Sequence, residues 1–405
     1  MEYHDFVVSI ERDGPGAFRK RVLESPAGQA SEPFAPPFPL EELSARLDSL
    51  GPDVKSGRVP REIGTALYQA LFSGQVGALY AESRGHAKGG GRGLRIKLRF
   101  DPGSPGMAWV PMLPWELVFR PDTEEILATD LESPVVRYLE VPRSSALPVF
   151  EPPLRLLVAL ANPRGTDELD LEDEQGRLRK ALGGRPGEIE PDFLEHATLE
   201  GIRAKLRSRH FHVLHFMGHG GWNPHTGEGG LVLETADRRP DLVSGSLLAD
   251  TVKGTAMPVL AVLNACDTAR STGVEGASPF GGVAAALVRK GMPAVVAMQF
   301  PVTDEASLAF AGAFYSRIAA GDPVDTAVGE GRMAIRTAVR DSMEWATPVL
   351  FMRSPDGRLF ETSRPASEVR PKHGTRIGIV NADQMNYSEG DIHQINNFLA
   401  EPPKR

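Results

Sequence analysis

The sequence predicts an α/β protein with a doubly wound, mostly parallel sheet, preceded by an α+β N-terminal region. The first observation is a set of short, almost continuous apolar runs, which suit strands buried on both faces. These runs lie at 154–161, 211–217, 259–264 and 294–299. The second observation is a set of helical patterns between and after them, at 192–209, 244–253, 279–290, 304–320 and 323–340. Buried strands that alternate with helices indicate a sheet covered on both faces.

The N-terminal region, residues 1–150, has a more mixed pattern. A strand is predicted at 6–10, and apolar residues at helical spacing predict one helix over 62–80. Residues 86–93 are predicted to form a Gly-rich loop. Residues 94–100 alternate apolar with basic side chains, which predicts a strand whose second face is in water.

Three further regions are predicted after residue 150. The α/β domain spans 151–362 and closes with a strand at 345–352. Residues 363–376 are polar and carry mixed charge, which is typical of a linker. Residues 377–405 form a C-terminal tail that is rich in Asn and Gln.

The composition excludes several classes of function. The chain has 405 residues, a net charge of −8 and a single cysteine. The negative charge argues against a nucleic-acid surface, and no apolar run approaches the roughly 18 residues that a membrane helix needs. A lone cysteine cannot form an internal disulfide or a Cys-based zinc site, and no histidine spacing matches a zinc pattern. We therefore expect a cytoplasmic protein with no cofactor, no metal, no nucleic-acid partner and no stable membrane insertion.

Two candidate catalytic residues follow separate predicted strands. His219 comes after the run at 211–217, and Cys266 comes after the run at 259–264. The carboxyl ends of parallel strands meet at one edge of a sheet, so the two residues lie side by side if their strands are neighbours. A thiol nucleophile needs such an imidazole, which lowers the thiol pKa below its free value of about 8.5 and protonates the leaving group. The alternative is that Cys266 is only a buried core residue.

These residues resemble the CHAT group of caspase-like cysteine peptidases, bacterial relatives of caspases and separases. The resemblance rests on His-Gly at 219–220 and Asn-Ala-Cys at 264–266. The gap between His and Cys suits the caspase pattern, in which about 50 residues separate them. The similarity covers about 90–355 and includes Leu-Pro-Trp-Glu-Leu at 113–117, with Phe300 where the family often has Trp. It implies a caspase-hemoglobinase-like fold and identifies the α/β domain as a CHAT peptidase domain.

The resemblance also implies roles for single residues. Cys266 attacks the scissile carbonyl and forms a thioester, while His219 protonates the leaving amine and then activates water. The backbone N–H groups of Gly220 and Cys266 form the oxyanion hole. Asp267 and Asp304 are candidate substrate-binding residues near the same edge. Asp304 matches an acidic position that meets a basic residue in separase-like relatives, which favours Lys or Arg before the scissile bond; an acid at a helix start also serves as a cap.

The tail offers a candidate interaction segment at 377–398, where amide, aromatic and β-branched residues surround a central glycine. Asn and Gln side chains stack into ladders in cross-β assemblies, so this composition favours self-association. The segment resembles the short amyloid-forming signalling motifs of some bacterial immune effectors, which implies recruitment to a receptor that carries the same motif. The alternative is a disordered or edge-strand tail.

Taken with the resemblance, the sequence predicts a cysteine endopeptidase that cleaves a protein partner by a Cys-His dyad and stays latent until clustering or a partner activates it. The family implies a bacterial antiviral defence or regulated cell-death pathway, with a gasdermin-like effector among the candidate substrates. Mobile loops are predicted at 222–230 and 270–279. Two alternatives stay open: a non-catalytic CHAT-like scaffold, and a thiol hydrolase that acts on a small molecule.

Overall fold

The computed structural model describes most of the chain as far as residue 362. The described residues are 1–39, 42, 50, 58–99, 107, 109–139, 147–166, 171–183, 187–223, 225–226, 228–266, 279–300 and 302–362. The predicted linker at 363–376 and the tail at 377–405 lie outside them. Asp267 and most of the predicted mobile loop at 270–279 also lie outside them.

The N-terminal region contains seven strands and two α-helices among its described residues. They are β1 (Tyr3–Arg12), β2 (Phe18–Glu24), β3 (Ala30–Phe34), α1 (Arg58–Leu71), α2 (Gly74–Gly89), β4 (Gly93–Arg99), β5 (Phe119–Arg120), β6 (Glu125–Ile126) and β7 (Val135–Tyr138). The single helix predicted over 62–80 is therefore wrong. The chain turns at Gly74, whose φ of 59° lies in the left-handed region that glycine adopts without strain. α2 then extends into the predicted Gly-rich loop at 86–93.

Ten strands and six α-helices follow within the described residues. They are β8 (Val149–Phe150), β9 (Leu154–Leu160), α3 (Leu171–Leu182), β10 (Ile189–Leu194), α4 (Leu199–Ser208), β11 (Val213–Asn223), β12 (Glu228–Glu234), β13 (Pro240–Ser244), α5 (Gly245–Lys253), β14 (Leu260–Cys266), α6 (Pro279–Lys290), β15 (Ala294–Met298), α7 (Asp304–Ala319), α8 (Val324–Ala338), β16 (Pro348–Met352) and β17 (Glu361–Thr362). No helix among the described residues is long and apolar enough to cross a membrane.

One large sheet organises these elements, and it confirms the predicted fold class. Its main path runs β10-β9-β11-β14-β15-β16-β7-β4-β1-β2-β3, with β12 and β13 attached beside β11. Along this path β10, β9, β11, β14 and β15 are parallel, and β16 is antiparallel to β15. The attached strands β12 and β13 pair antiparallel. Strands from both sides of residue 150 share this sheet.

Two apolar cores cover the two faces of the central strands. Leu156, Val213 and Val262 belong to the core that contains the buried residues of α7 and α8. Leu157 and Leu214, their neighbours along the strands, belong to the core that contains the buried residues of α4, α5 and α6. Successive side chains of a strand point to opposite faces, so a continuous apolar run fills both cores. This two-sided burial explains why the apolar runs of the sequence mark the central strands.

β4 was predicted to expose its basic face to solvent, but in the structure the basic side chains of that face are buried. Arg95 donates from Nε to Asp325 at 2.5 Å, and Lys97 donates from Nζ to Asp5 at 2.5 Å. Both basic residues are at most 3% exposed. Strands β1 and β7 flank β4, and carboxylates from distant parts of the sequence neutralise its charges.

The helix predicted over 192–209 is also shorter than the pattern indicates. Residues Ile189–Leu194 form β10, which pairs with β9 in parallel. Thr198 then caps α4 by accepting a hydrogen bond from the N–H of Gly201 at 2.9 Å. Since β10 is an edge strand and only half buried, Glu190 and Asp192 interrupt its apolar residues, and it lacks the continuous apolar run of a central strand.

The three edge strands of the described sheet each contain a proline. Pro33 lies in β3, Pro191 in β10 and Pro240 in β13. Proline has no N–H to donate to a further strand, and it is typical of edges that do not pair with other chains.

A buried cluster around Glu116 joins the N-terminal region to the end of β15 and to α8. Glu116 is 1% exposed and accepts hydrogen bonds from Arg137 at 2.7 Å and from Gln299 at 2.9 Å. The Nη2 atom of Arg332 lies 3.9 Å away, and burial lowers the pKa of that guanidinium to about 10. Gln299 also donates a hydrogen bond to the carbonyl of Ala346. Through Arg137, Gln299 and Arg332, the Glu116 carboxylate links β7, the end of β15 and α8.

We predict that Glu116→Ala lowers the free energy of unfolding by about 3–5 kcal/mol, because it leaves Arg137 and Arg332 as uncompensated buried charges. Urea denaturation of the two proteins measures this difference. Glu62→Ala is the matched control, since Glu62 pairs with Arg58 on an exposed surface and its loss changes little. Equal stabilities of Glu116→Ala and the wild type would contradict the prediction.

Candidate active site

β11 is longer than its neighbour β9, and the extra length carries His219. Residues 213–217 pair with β9, while 219–223 pair with β12, which replaces β9 on that side. β14 pairs along the opposite side of β11 as far as His219. His219 therefore lies between β12 and β14. The mobile loop predicted at 222–230 is wrong for most of its length, because β11 and β12 continue into it as an antiparallel pair.

His219 and Cys266 are direct register partners across the parallel pair of β11 and β14. Cys266 is the last residue of β14, so the pair lies at the carboxyl edge of the sheet. Neighbouring strands lie about 4.8 Å apart, which brings the two backbones close together. His219 is 2% exposed.

A glycine lies on each side of His219, and sterics explain the one at position 218. A Cβ at Gly218 would lie 2.9 Å from the carbonyl oxygen of Ala161 and 2.6 Å from the ring of Phe216, so no side chain fits there. Gly220 is the register partner of Leu231 in β12. The assignment of the Gly220 and Cys266 N–H groups to an oxyanion hole stays a prediction.

A small cavity of about 40 Å³ lies on the face of β11 and β14 that α3 and α7 cover. His215 and Met217 of β11 line it together with Asn264 of β14. Asn264 donates from Nδ2 to the hydroxyl of Ser307 at 3.2 Å. The other lining residues come from α3, α7 and the segment before α7: Glu174, Arg177, Leu178, Val302, Asp304, Leu308 and Ala311.

His215 is a buried histidine that lines this cavity. Its Nδ1 lies 2.6 Å from the Tyr315 hydroxyl, and its Nε2 has no hydrogen-bond partner. Burial lowers the pKa of His215 to about 4, so the imidazole is neutral at pH 7. His215 precedes His219 by four positions in the same strand, so both share one face. In the sequence, the spacing of four positions between His215 and His219 is the signal that places His215 on the same face of the strand as His219.

Asp304 is already paired within the protein. It is the first residue of α7, and Thr303 before it caps the helix by accepting a hydrogen bond from the N–H of Ala306. The carboxylate of Asp304 forms an ion pair with Arg177 of α3, which also pairs with Asp173. The side chain of Asp304 remains 62% exposed. No local pattern could have predicted Arg177, since it belongs to a helix more than a hundred residues earlier.

Within the described ranges, no group of three or more His, Cys, Asp or Glu side chains is arranged to hold a metal ion. Among the histidines between 210 and 225, His210 and His212 contact each other edge to face, with ring centroids 5.1 Å apart. His212 also accepts a hydrogen bond from the backbone N–H of Arg155 at 3.0 Å and packs edge-on against Phe360.

Comparisons with known proteins give one family. The model of the CHAT domain family matches residues 61–354. Separase of Saccharomyces cerevisiae, solved in complex with securin, is 15% identical, with a TM-score of 0.38 over 64% of this chain and 16% of the separase chain. The Arg-specific cysteine proteinase gingipain R is 12% identical, with a TM-score of 0.38 over 66% of this chain and 64% of that one. The chain thus spans less than two thirds of either protein. No match was found among curated proteins.

Stability is predicted to fall as the pH drops from about 6.5 to about 4. Burial lowers the pKa of both His212 and His215 to about 4, so the unfolded chain binds protons in this window while the folded chain does not. Each histidine contributes a slope of at most about 1.4 kcal/mol per pH unit. Urea denaturation at pH 7 and pH 5 measures this loss, which should be smaller in His215→Gln. An equal loss in both proteins would contradict the assignment.

Proposed function

The chain belongs to the CHAT domain family of caspase-like cysteine peptidases, and from this premise we propose that it is an endopeptidase that uses Cys266 and His219 as a dyad. The register pairing of these two residues at the carboxyl edge of the sheet is the observation that carries the proposal. The edge of a parallel α/β sheet is where such folds assemble reactive groups. Cys266 is also the only cysteine of the chain, so no other thiol can supply the nucleophile.

The proposed reaction has two stages. The Cys266 sulfur attacks the scissile carbonyl carbon as the thiolate, while the proton that it gave up resides on His219. The tetrahedral intermediate collapses to a thioester as His219 protonates the leaving amine. A water molecule then attacks the thioester carbonyl and gives its proton to His219. The acid product leaves, and the thiol regains its proton.

The oxyanion of each tetrahedral intermediate needs hydrogen-bond donors that are fixed in advance. The backbone N–H groups of Gly220 and Cys266 are the proposed donors, each contributing about 3 kcal/mol to transition-state stabilisation. Both residues belong to strands whose register is set by the sheet, which supports a rigid arrangement.

The substrate is proposed to be a protein with Lys or Arg before the scissile bond. Asp304 lines the cavity next to Asn264, and its carboxylate is the candidate partner for the basic side chain. Arg177 now neutralises that carboxylate, so a basic substrate residue has to compete with it. Asp267 is the second candidate contact. A setting in bacterial defence or regulated cell death, a gasdermin-like substrate, activation by clustering and assembly through 377–398 belong to the same proposal.

The proposal is tested by incubating the wild type with a peptide library and with proteins encoded in neighbouring genes, with and without forced clustering. We predict that Cys266→Ala abolishes cleavage and that His219→Ala lowers its rate by about 10²–10⁴-fold, the usual contribution of a general acid and base. The exposed His225→Ala is the matched control and keeps full activity.

The alternatives have their own signatures in this experiment. A scaffold would leave every substrate intact under clustering, in the wild type as in Cys266→Ala. A small-molecule thiol hydrolase would spare peptides but release thiol-dependent product from small esters or amides. Either result would overturn the endopeptidase assignment.

Competition between Arg177 and the substrate gives a separate prediction. Arg177→Gln frees the Asp304 carboxylate, so KM for peptides with Arg or Lys before the scissile bond should fall several-fold at unchanged kcat. Asp304→Asn should abolish the preference for these residues. Arg179→Gln is the matched control on the same helix, since Arg179 lies over the ring of Phe193 and not at the cavity. An unchanged preference in Asp304→Asn would show that this carboxylate does not recognise the substrate.

A further inference from the structure

The row of residues that contains the dyad continues outward across two more strands. Val232 of β12 is the register partner of His219 on the side away from Cys266. Leu242 of β13 is in turn the register partner of Val232. Register partners in neighbouring strands direct their side chains to the same face of a sheet. His219, Val232 and Leu242 therefore stand side by side on one face.

The two faces of the β12–β13 hairpin differ sharply. On one face, Leu231, Leu233 and Val243 are at most 1% exposed and belong to the core that α5 and α6 cover. On the face that His219 shares, Val232 is half-buried and Leu242 is 39% exposed. Among the described residues, Leu242 is one of only five large apolar side chains that are strongly exposed.

Two facing glycines give Leu242 its position. Gly221 and Gly230 are register partners next to the row that contains His219. A Cβ at Gly221 would lie 2.7 Å from Cδ1 of Leu242, and a Cβ at Gly230 would lie 3.0 Å from the same atom. The leucine side chain thus lies over the backbone of Gly230 in β12 and reaches Gly221 of β11, two residues after His219. We call Val232, Leu242 and the two glycines beneath them the leucine shelf.

The chemistry of the proposed reaction indicates on which side of the scissile bond the leucine shelf lies. His219 protonates the leaving amine, so the substrate chain beyond that amine continues on the side of His219 that faces away from Cys266. β12 and β13 are the next strands on that side, at about 4.8 and 10 Å from β11. An extended peptide advances about 3.3 Å per residue, so it reaches Leu242 within about three residues of the scissile bond.

On this basis, which rests on the proposed function, we propose that the leucine shelf is a specificity subsite for the leaving side of the substrate. It takes an apolar side chain within the first three residues after the scissile bond. Covering Leu242 and Val232 removes apolar surface from water, which favours an apolar substrate residue over a polar one. Nothing charged belongs to the shelf, so the discrimination is steric and hydrophobic.

Leu242→Ser tests the inference, with Leu247→Ser as the matched control. Leu247 is 50% exposed and lies in α5, outside the row. Two quenched peptides share the preferred acyl side and carry Leu or Ser at the three positions after the scissile bond. A third substrate has the same acyl side and an aminocoumarin in place of the leaving peptide. Leu242→Met provides a conservative rescue, because it keeps the apolar surface.

We expect the wild type to prefer the Leu peptide by about tenfold in kcat/KM, a typical discrimination by an apolar subsite. Leu242→Ser should lose this preference while hydrolysing the aminocoumarin substrate at the wild-type rate, and Leu247→Ser and Leu242→Met should keep it. A preference that survives in Leu242→Ser, or a wild type without one, would overturn the inference alone. An equal loss on all three substrates would reduce Leu242 to a structural role. If no substrate shows Cys266-dependent cleavage, the proposed function fails and the inference fails with it.

Discussion

The register between β11 and β14 is the constraint on which the candidate site depends. Seven consecutive residue pairs join the strands, from Val213 opposite Leu260 to His219 opposite Cys266. A shift by one residue would place His219 opposite Ala265 and reverse which side chains of one strand face each core. The two apolar cores resist such a shift, because Val213 and Val262 fill one and Leu214 and Leu263 fill the other. The hydrophobic core thus fixes the relative position of the two candidate catalytic residues.

The length of β11 determines what surrounds His219. The pairing of β9 with β11 ends at Met217, two residues before His219. The β12–β13 hairpin therefore pairs with this side of β11 and places Val232 beside His219. On the other side, β14 ends at Cys266. The candidate site therefore has the paired strand β12 beside His219 and the end of β14 at Cys266. Glu116 also accepts a hydrogen bond from Gln299, the residue that follows β15, which is the neighbour of β14 in the sheet.

The sequence was informative wherever the environment of a residue follows from its neighbours in the chain. The apolar runs predicted the central strands because those strands are buried on both faces, and the two strand ends pointed to His219 and Cys266. The end of β10, residues 192–194, was assigned to a helix because Glu190 and Asp192 interrupt the apolar residues of this edge strand. The burial of Arg95 and Lys97 depends on Asp5 and Asp325, which the fold brings from distant parts of the chain. The pairing of Asp304 with Arg177 is equally non-local.

If the imidazole of His219 activates the thiol of Cys266, as we propose, it lowers the pKa of that thiol, and the single cysteine allows this pKa to be measured directly. Alkylation by iodoacetamide reports only on Cys266, so its rate as a function of pH gives the pKa of that thiol without any substrate. We predict an apparent thiol pKa clearly below about 8.5 in the wild type and a return toward that value in His219→Ala. Identical pH profiles for the two proteins, with an apparent pKa at or above about 8.5, would contradict it.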